Sequence, residues 1–335
     1  MPRFAEPAFT VVVPTLDRAA TIGRAIESVV AQTWTDFELL VVDDGSTDDT
    51  RAVVARFQDE RVRYLRRAHR GRSAARNHGA EVGRGRWLTF LDSDDHARPA
   101  WLGRLENGLR TAPIACCGAL CVTRSADGAT VASRARLPEP LGPAFGDATG
   151  LFLAGTYALD RRLFLAAGGF DPRLRFSENT ELALRLAARV RDDRGRIACV
   201  AEPLVVYEQR PDRLTADGYA ARLDAAETIL DRHGEVLRTQ SPPTYLTYHG
   251  IAGVNAARLG DLRRARRHFS VAQGLRRGTV LNQLRWLATF APGARGWVWR
   301  ARGELRRPLD GEPTRVGGSA RMKRDPSPGA GPPAR

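Results

Sequence analysis

From residue 9 to residue 91 the chain alternates short apolar runs with segments whose apolar residues recur every three or four positions. Residues 9–13 (Phe-Thr-Val-Val-Val) are largely β-branched, and Pro14, which has no N–H to donate, is expected to end that strand. Residues 18–31 then set Ala19, Ile22, Ile26, Val29 and Val30 at helical spacing. The same reading predicts strands at 37–42, 62–65 and 87–91. It places helices from Asp48, carrying Val53, Val54 and Phe57, and over 72–83. Strands that are apolar throughout, separated by amphipathic helices, predict an α/β protein with a mostly parallel, Rossmann-like sheet covered by helices on both faces. Ligands in such sheets sit beyond the carboxyl ends of the strands. Here three of those ends are polar or acidic: Thr15 and Asp17, Asp43 and Asp44, Asp92 and Asp94.

After Asp95 the pattern loosens. A helix is predicted over 101–109, a strand over 114–123, a Gly/Pro-rich loop over 124–150 and a strand over 151–159. Asp160 is placed to cap a helix that stops at Gly168-Gly169, and a further helix starts near Ser177 with Glu178 and Glu181 at its positive end. Short strands follow at 197–200 and 204–207, and from about 214 the chain reads as helical. Within 245–275, Gly253, Gly260, Ala265, Phe269 and Ala272 stand at the spacing of a tetratricopeptide-type helix hairpin. One copy predicts an appendage and not a solenoid. Residues 311–335, rich in Gly, Pro, Ser and Arg, are expected to be disordered. The expected boundaries are 1–212 (halves at about 9–110 and 111–212), a basic helical region at 213–310, and the tail.

Composition narrows the setting. No apolar run approaches the ~18 residues of a membrane-spanning helix, and residues 1–9 lack the basic and apolar regions of a signal peptide. Cys116, Cys117, Cys121 and Cys199 form no CxxC pair, so they are expected to be small buried hydrophobes in a reducing cytoplasm. The net charge of +14 is concentrated: residues 258–307 hold thirteen arginines against Asp261 and Glu304. This is either a solvated face or a peripheral contact with the anionic inner face of a membrane. The second reading rests on Arg263, Arg264, Arg266 and Arg267 with Trp286, Trp297 and Trp299. Nothing suggests a surface that reads nucleic-acid bases.

The candidate chemistry begins where the fourth strand runs into Asp92, Asp94 and Asp95. Like charges this close repel, and a cation would relieve them. Oxygen-only ligands suit Mg²⁺ or Mn²⁺. The competing reading is a solvated acidic turn capping the next helix. There is no Walker A sequence and no GxGxxG after a strand, which argues against an NTPase or a dehydrogenase.

Four segments in order, 11–17 (VVVPTLD), 41–48 (VVDDGSTD), 71–77 (GRSAARN) and 90–95 (FLDSDD), resemble the nucleotide-sugar half of family 2 glycosyltransferases. The resemblance is strong over about 9–110 and weaker over 150–210, and it implies a GT-A fold. It implies that Pro14, Thr15 and Asp17 lie against the nucleotide base, that Asp44 accepts from a base N–H, and that Arg76 approaches the nucleotide. Asp92 would hold the ribose or a metal-bound water and Asp94 the divalent metal, Asp95 replacing it if the motif is read one residue later. The implied reaction is inverting transfer from a nucleotide-diphosphate sugar, UDP- or dTDP-linked, to a hydroxyl of a glycan, lipid-linked or small-molecule acceptor, in cell-envelope or polysaccharide synthesis. The family's base is usually the aspartate of a Glu-Asp pair, but this chain has Glu178-Asn179. Either Glu178 or Glu181 takes that role, or the chain is an inactive nucleotide-sugar-binding module. Of His69, His78 and His96, only His96 follows the carboxylates directly.

Overall fold

The first strand, β1 (Phe9–Thr15), is buried at every position, as an apolar run covered on both faces should be. It pairs in parallel with β2 (Phe37–Asp43), which pairs in parallel with β3 (Val62–Arg66). On its other side β1 pairs in parallel with β4 (Trp87–Phe90). Pro14 does not end β1: pairing with β4 stops at Val12↔Phe90, while pairing with β2 runs on to Thr15↔Asp43. The Leu91 N–H donates to Val12 O and the Asp44 N–H to Thr15 O. The missing N–H of Pro14 therefore faces the side on which β4 has already ended.

The computed structural model describes residues 6–124, 130–138, 153–192, 197–209, 216–274, 286, 287, 289 and 290. The remaining strands are β5 (His96–Ala97), β6 (Ile114–Arg124), β7 (Thr130–Arg136), β8 (Tyr157–Asp160) and β9 (Ile197–Gln209). The sheet order is β3-β2-β1-β4-β8-β6-β9-β5, with β7 on β6. The parallel half is the one expected. Beyond β4 the sheet is mixed, because β8 runs antiparallel to β4 and β6 while β9 is parallel to β6.

Four differences from the sequence reading lie beyond β4. β7 lies inside the expected loop, paired with β6 although its described residues are exposed. β9 is one strand and not two: the break expected near Pro203 is absorbed as a register shift opposite Cys117–Ala119. β5 is two residues long and held by Val205 and Val206. Of the expected strand 151–159, residues 151 and 152 lie outside the described residues, and β8 starts at Tyr157.

Both faces are covered by helices, as expected. On one face Val11, Val13, Leu39 and Val41 cluster with Ile22 and Ile26 of α1 (Ile22–Val30). Beyond the short α2 (Thr50–Val54) and α3 (Arg72–Val82), α4 (Trp101–Leu109) adds Trp101 and Leu105 to that cluster. On the other face Val12, Leu40, Val42 and Phe90 cluster with Ala75 and Ala80 of α3. The same cluster takes Phe164 of α5 (Arg161–Ala166) and Leu182 and Leu186 of α6 (Glu178–Asp192). Asp160 caps α5 by accepting from the Arg162 N–H. The second core continues into α7 (Ala216–Gln240), α8 (Pro242–Arg258) and α9 (Leu262–Gly274) through Leu223, Ile229, Tyr248, Ala252 and Phe269. Over 216–274 the helices pack onto the sheet's second core.

The expected hairpin spacing has a steric origin. A Cβ on Gly253 would lie 2.6 Å from Phe269 Cε1, in a fully buried ring. Gly253→Ala is expected to cost about 1–3 kcal/mol by overpacking, read as a lower denaturant midpoint at unchanged slope. An unchanged midpoint would show that α8 and α9 do not meet there. Cys116, Cys117 and Cys121 are buried outside any disulfide, but Cys199 is exposed, contrary to expectation. The expected disordered tail, Trp297 and Trp299 lie outside the described residues.

Candidate active site

The carboxyl ends of β1, β2 and β4 lie side by side. The loops that leave them are tied together by the residues assigned to the nucleotide. Asp17 takes a left-handed backbone (φ 51°), which Asp tolerates better than most residues. Its Oδ1 accepts from the Thr47 N–H at 2.8 Å, tying the loop after β1 to the loop after β2. Asp44 is buried and accepts from the backbone N–H groups of Arg70 (3.0 Å) and Gly71 (2.7 Å), with His69 Nδ1 at 2.8 Å. It thereby fixes the turn into α3. Pro14 lies in β1, and the Thr15 hydroxyl at its end is buried without a hydrogen-bond partner. Asp43, marked in the sequence only as an acidic strand end, accepts from the Gly45 and Ser46 N–H groups and from the Tyr64 hydroxyl.

Arg76 corrects an expectation. Expected to approach the nucleotide, it is fully buried. Instead it bridges two carboxylates: Nη2 donates to Asp92 Oδ1 at 2.5 Å and Nη1 to Glu178 Oε1 at 3.0 Å, while its guanidinium lies 5.2 Å from the Phe170 ring centroid. Burial opposes its charge, but Asp92 and Glu178 outweigh that and raise its pKa. The outward-facing guanidinium is that of Arg72, half-exposed, which donates to Glu178 Oε2 at 3.0 Å and to Arg175 O at 2.6 Å. Sequence reasoning missed Arg72, although its four-residue spacing from Arg76 on α3 was a usable signal.

The acidic cluster divides by burial. Asp92 and Asp94 are partly exposed and Asp95 is buried. Burial raises the Asp92 carboxyl pKa, but the positive charges of Arg76 and Arg72 prevail and hold it below the usual carboxylate value. Asp95 Oδ1 accepts from the Glu208 N–H at 3.0 Å, and its buried Oδ2 has no hydrogen-bond partner. Burial, then the charge of Asp92, pushes the Asp95 carboxyl up to about 9. Arg76 thus relieves part of the repulsion inferred from sequence, and burial of Asp95 favours its neutral form. Tyr207 on β9 faces the cluster: burial, then the charges of Asp92, Asp95 and Asp94, pushes its hydroxyl up to about 12. His96 sits in β5, half-buried.

Among the described residues no three His, Cys, Asp or Glu side chains converge as a metal cage. The donors present, two partly exposed carboxylates at a strand end, still fit a hard cation. Mg²⁺ typically takes one or two carboxylates and completes its shell with substrate phosphates and water.

The two candidate bases separate. Glu178 is 3% exposed and lies at the start of α6, joined to Asp92 through Arg76. Asn179 is half-buried; it accepts from the Tyr157 hydroxyl at 3.3 Å, and its Nδ2 lies 3.4 Å from Glu178 Oε1. Glu181 is fully buried and ion-paired with Arg185 (2.7 Å), Arg232 (3.2 Å) and His233 (3.5 Å). Burial works against its charge, but hydrogen bonds from His233 and Arg185 hold its carboxyl down at about 2. Glu181 is therefore an ion-network residue, and its role as second candidate base is set aside.

Residues 10–167 match the family model for glycosyl transferase family 2. That match covers just under half of the chain. Succinoglycan biosynthesis protein ExoO of Rhizobium meliloti (strain 1021) is 35% identical to it over 216 residues, 60% of each chain. The Escherichia coli UDP-Glc:alpha-D-GlcNAc-diphosphoundecaprenol beta-1,3-glucosyltransferase WfgD is 40% identical over 87 residues, 26% of this chain and 34% of its own. The chain thus spans 60% and 34% of the length of those two relatives. The mannosyltransferase PcManGT from Pyrobaculum calidifontis, solved with GDP-Man and Mn²⁺, shares its fold. The TM-score is 0.52 at 21% identity, over 89% of this chain and 83% of that one. With the helical region α7–α9 following the sheet, the architecture is GT-A with a C-terminal helical extension.

Proposed function

We propose that the protein transfers a sugar from a nucleotide-diphosphate donor to an acceptor hydroxyl by direct displacement, with Glu178 as the base. The observation that carries this is the Arg76 bridge, which joins the carboxylate at the donor end, Asp92, to a carboxylate at the start of α6. Glu178 takes the proton of the acceptor hydroxyl, whose oxygen bonds to the anomeric carbon as the bond to the diphosphate oxygen breaks. Attack opposite the leaving group inverts the anomeric centre. Asp17 and Asp44 hold the loops around the base pocket, and Thr15 presents its unpartnered hydroxyl there. When bound at Asp94 and Asp92, Mg²⁺ or Mn²⁺ supplies Lewis acidity for the charge that develops on the diphosphate. UDP- and dTDP-sugars are the first donors to test.

Asp94→Asn is expected to abolish turnover and the Mn²⁺ dependence of UDP binding, with the thermal midpoint unchanged because the group lies at a strand end. Retained Mn²⁺-dependent binding, followed by calorimetry, would remove Asp94 from the ligand set. A second reading, donor binding without transfer, is favoured by Asn179 and by a Glu178 whose oxygens already accept from Arg76 and Arg72. It predicts UDP binding with no diphosphate release across donors and acceptors.

A lipid-linked acceptor would bring the enzyme to a membrane, and the basic region has a surface for it. No helix among the described residues is long and apolar enough to cross a membrane. Arg263 and Arg267 are exposed on α9, and the Arg266 guanidinium lies 4.4 Å from the Phe290 ring centroid and donates to Thr289 O at 2.8 Å. Leu287 and Phe290 are more than half exposed. Basic residues beside exposed aromatic and aliphatic groups suit an anionic bilayer surface, each arginine contributing about 1 kcal/mol. The protein should co-sediment with anionic vesicles at low salt and be released at high salt, and Arg263→Glu with Arg267→Glu should weaken capture. Equal indifference to neutral and anionic vesicles would make the arginines a solvated face.

A further inference from the structure

The backbone that leaves the acidic turn is held at regular intervals from α1. Arg24, Ser28 and Gln32 stand four residues apart, so they share one side of the helix and of the residues that follow it. Each meets the backbone of residues 94–102. Arg24 Nη2 donates to Asp94 O at 2.8 Å, and the Ala97 N–H donates to Ser28 Oγ at 3.1 Å. Gln32 Nε2 donates to Arg98 O at 2.8 Å, and its Oε1 accepts from the Leu102 N–H at 3.0 Å. Strand β9 closes on the same segment. His96 and Ala97 pair with Val206 and Val205, and the Glu208 N–H donates to Asp95 Oδ1 at 3.0 Å. Arg24 joins the two supports, because its Nη1 donates to the Glu208 carboxylate at 2.8 Å.

The three rungs differ in what they act on. Ser28 and Gln32 tie backbone beyond the carboxylates, whereas Arg24 binds the carbonyl of Asp94 itself and, through Glu208, the residue whose N–H holds Asp95. Glu208 also offsets the guanidinium charge, so the turn is fixed without an uncompensated positive charge beside carboxylates that suit a cation. We propose that Arg24 is a positioning residue for the divalent cation: the link from Glu208 through Arg24 to the Asp94 carbonyl sets the direction in which Asp94 presents its carboxylate. The inference rests on the reading of Asp94 as the metal ligand. Groups that orient a ligand from behind typically cost about 10–100-fold in metal affinity when they are removed. Part of the link, β9, lies beyond residue 167, where the match to the family model ends.

The test uses the full chain and calorimetry with UDP or dTDP, whichever binds tighter, in the presence and absence of Mn²⁺. Arg24→Met should lower nucleotide affinity in Mn²⁺ by roughly tenfold, toward the metal-free value. Metal-free affinity should not change, because the loops held by Asp17 and Asp44 keep their own hydrogen bonds. Arg24→Lys, which keeps the charge and a donor, should fall between the two. Glu208→Gln keeps the backbone N–H that holds Asp95 and removes the counter-charge of Arg24. It should shift affinity the same way, and it serves as the test if Arg24→Met fails to fold. In an Asp94→Asn background Arg24→Met should have almost no further effect, because the carboxylate it positions is already gone. An unchanged affinity in Mn²⁺, or an equal loss without metal, overturns the inference. If Asp94→Asn itself leaves the Mn²⁺ effect intact, the ligand assignment fails first and takes the positioning role with it.

Discussion

Glu178→Gln should lower the transfer rate by about 10²–10⁴-fold with donor affinity nearly unchanged. The substitution keeps the side chain's size and an oxygen to accept from Arg76, and it removes only the capacity to take a proton. The effect should fall on kcat, because the acceptor's proton moves only as the new bond forms. Steady-state kinetics with a donor titration would check it, alongside the reverse experiment at the neighbouring position. Asn179 is more accessible than Glu178 and occupies the place where the family usually has an aspartate. If Glu178→Gln has no effect and Asn179→Asp raises the rate, Glu178 is an ion-pair partner only, and the native site lacks its carboxylate base.

Arg76→Met should be the most destabilising single change in the site. It strips the shared counter-ion from Asp92 and from a Glu178 side chain that is 4% exposed. Breaking a buried pair by removing one partner costs about 3–5 kcal/mol. Arg72 still holds Glu178 Oε2, which places the expected loss near the lower end, at about 3 kcal/mol. The pH dependence follows from Asp92, whose folded-state pKa is depressed. Such a group contributes stability above its unfolded value of about 3.9 and loses it as pH falls through the folded value. The penalty for Arg76→Met should therefore be largest at neutral pH and shrink as pH drops below about 4. Urea unfolding at both pH values would check this. An equal penalty at each would assign the loss to packing on Phe170 instead of charge.

Much of the fold was legible in the sequence because its signals are local. Apolar runs of β-branched residues separated by periodic helices specify a parallel sheet covered on both faces, and acidic residues at three strand ends mark one end of the sheet whatever the rest of the chain does. Gly253 and Phe269 announced the close approach of α8 and α9 through spacing alone. The tertiary structure decided what those signals could not contain. Whether Arg76 touches a ligand or two carboxylates depends on how deeply α3 packs. Whether Asp95 carries a charge depends on β9 covering it. Glu178 and Glu181 look alike in a helix start, and only the approach of α7, bringing Arg232 and His233 to Glu181, separates a base candidate from an ion network. Strand β7 left no pattern because pairing with β6 holds it, not burial. Hydrophobic periodicity reports which faces are covered; the state of a buried charge is set by partners distant in sequence, and only the folded chain supplies them.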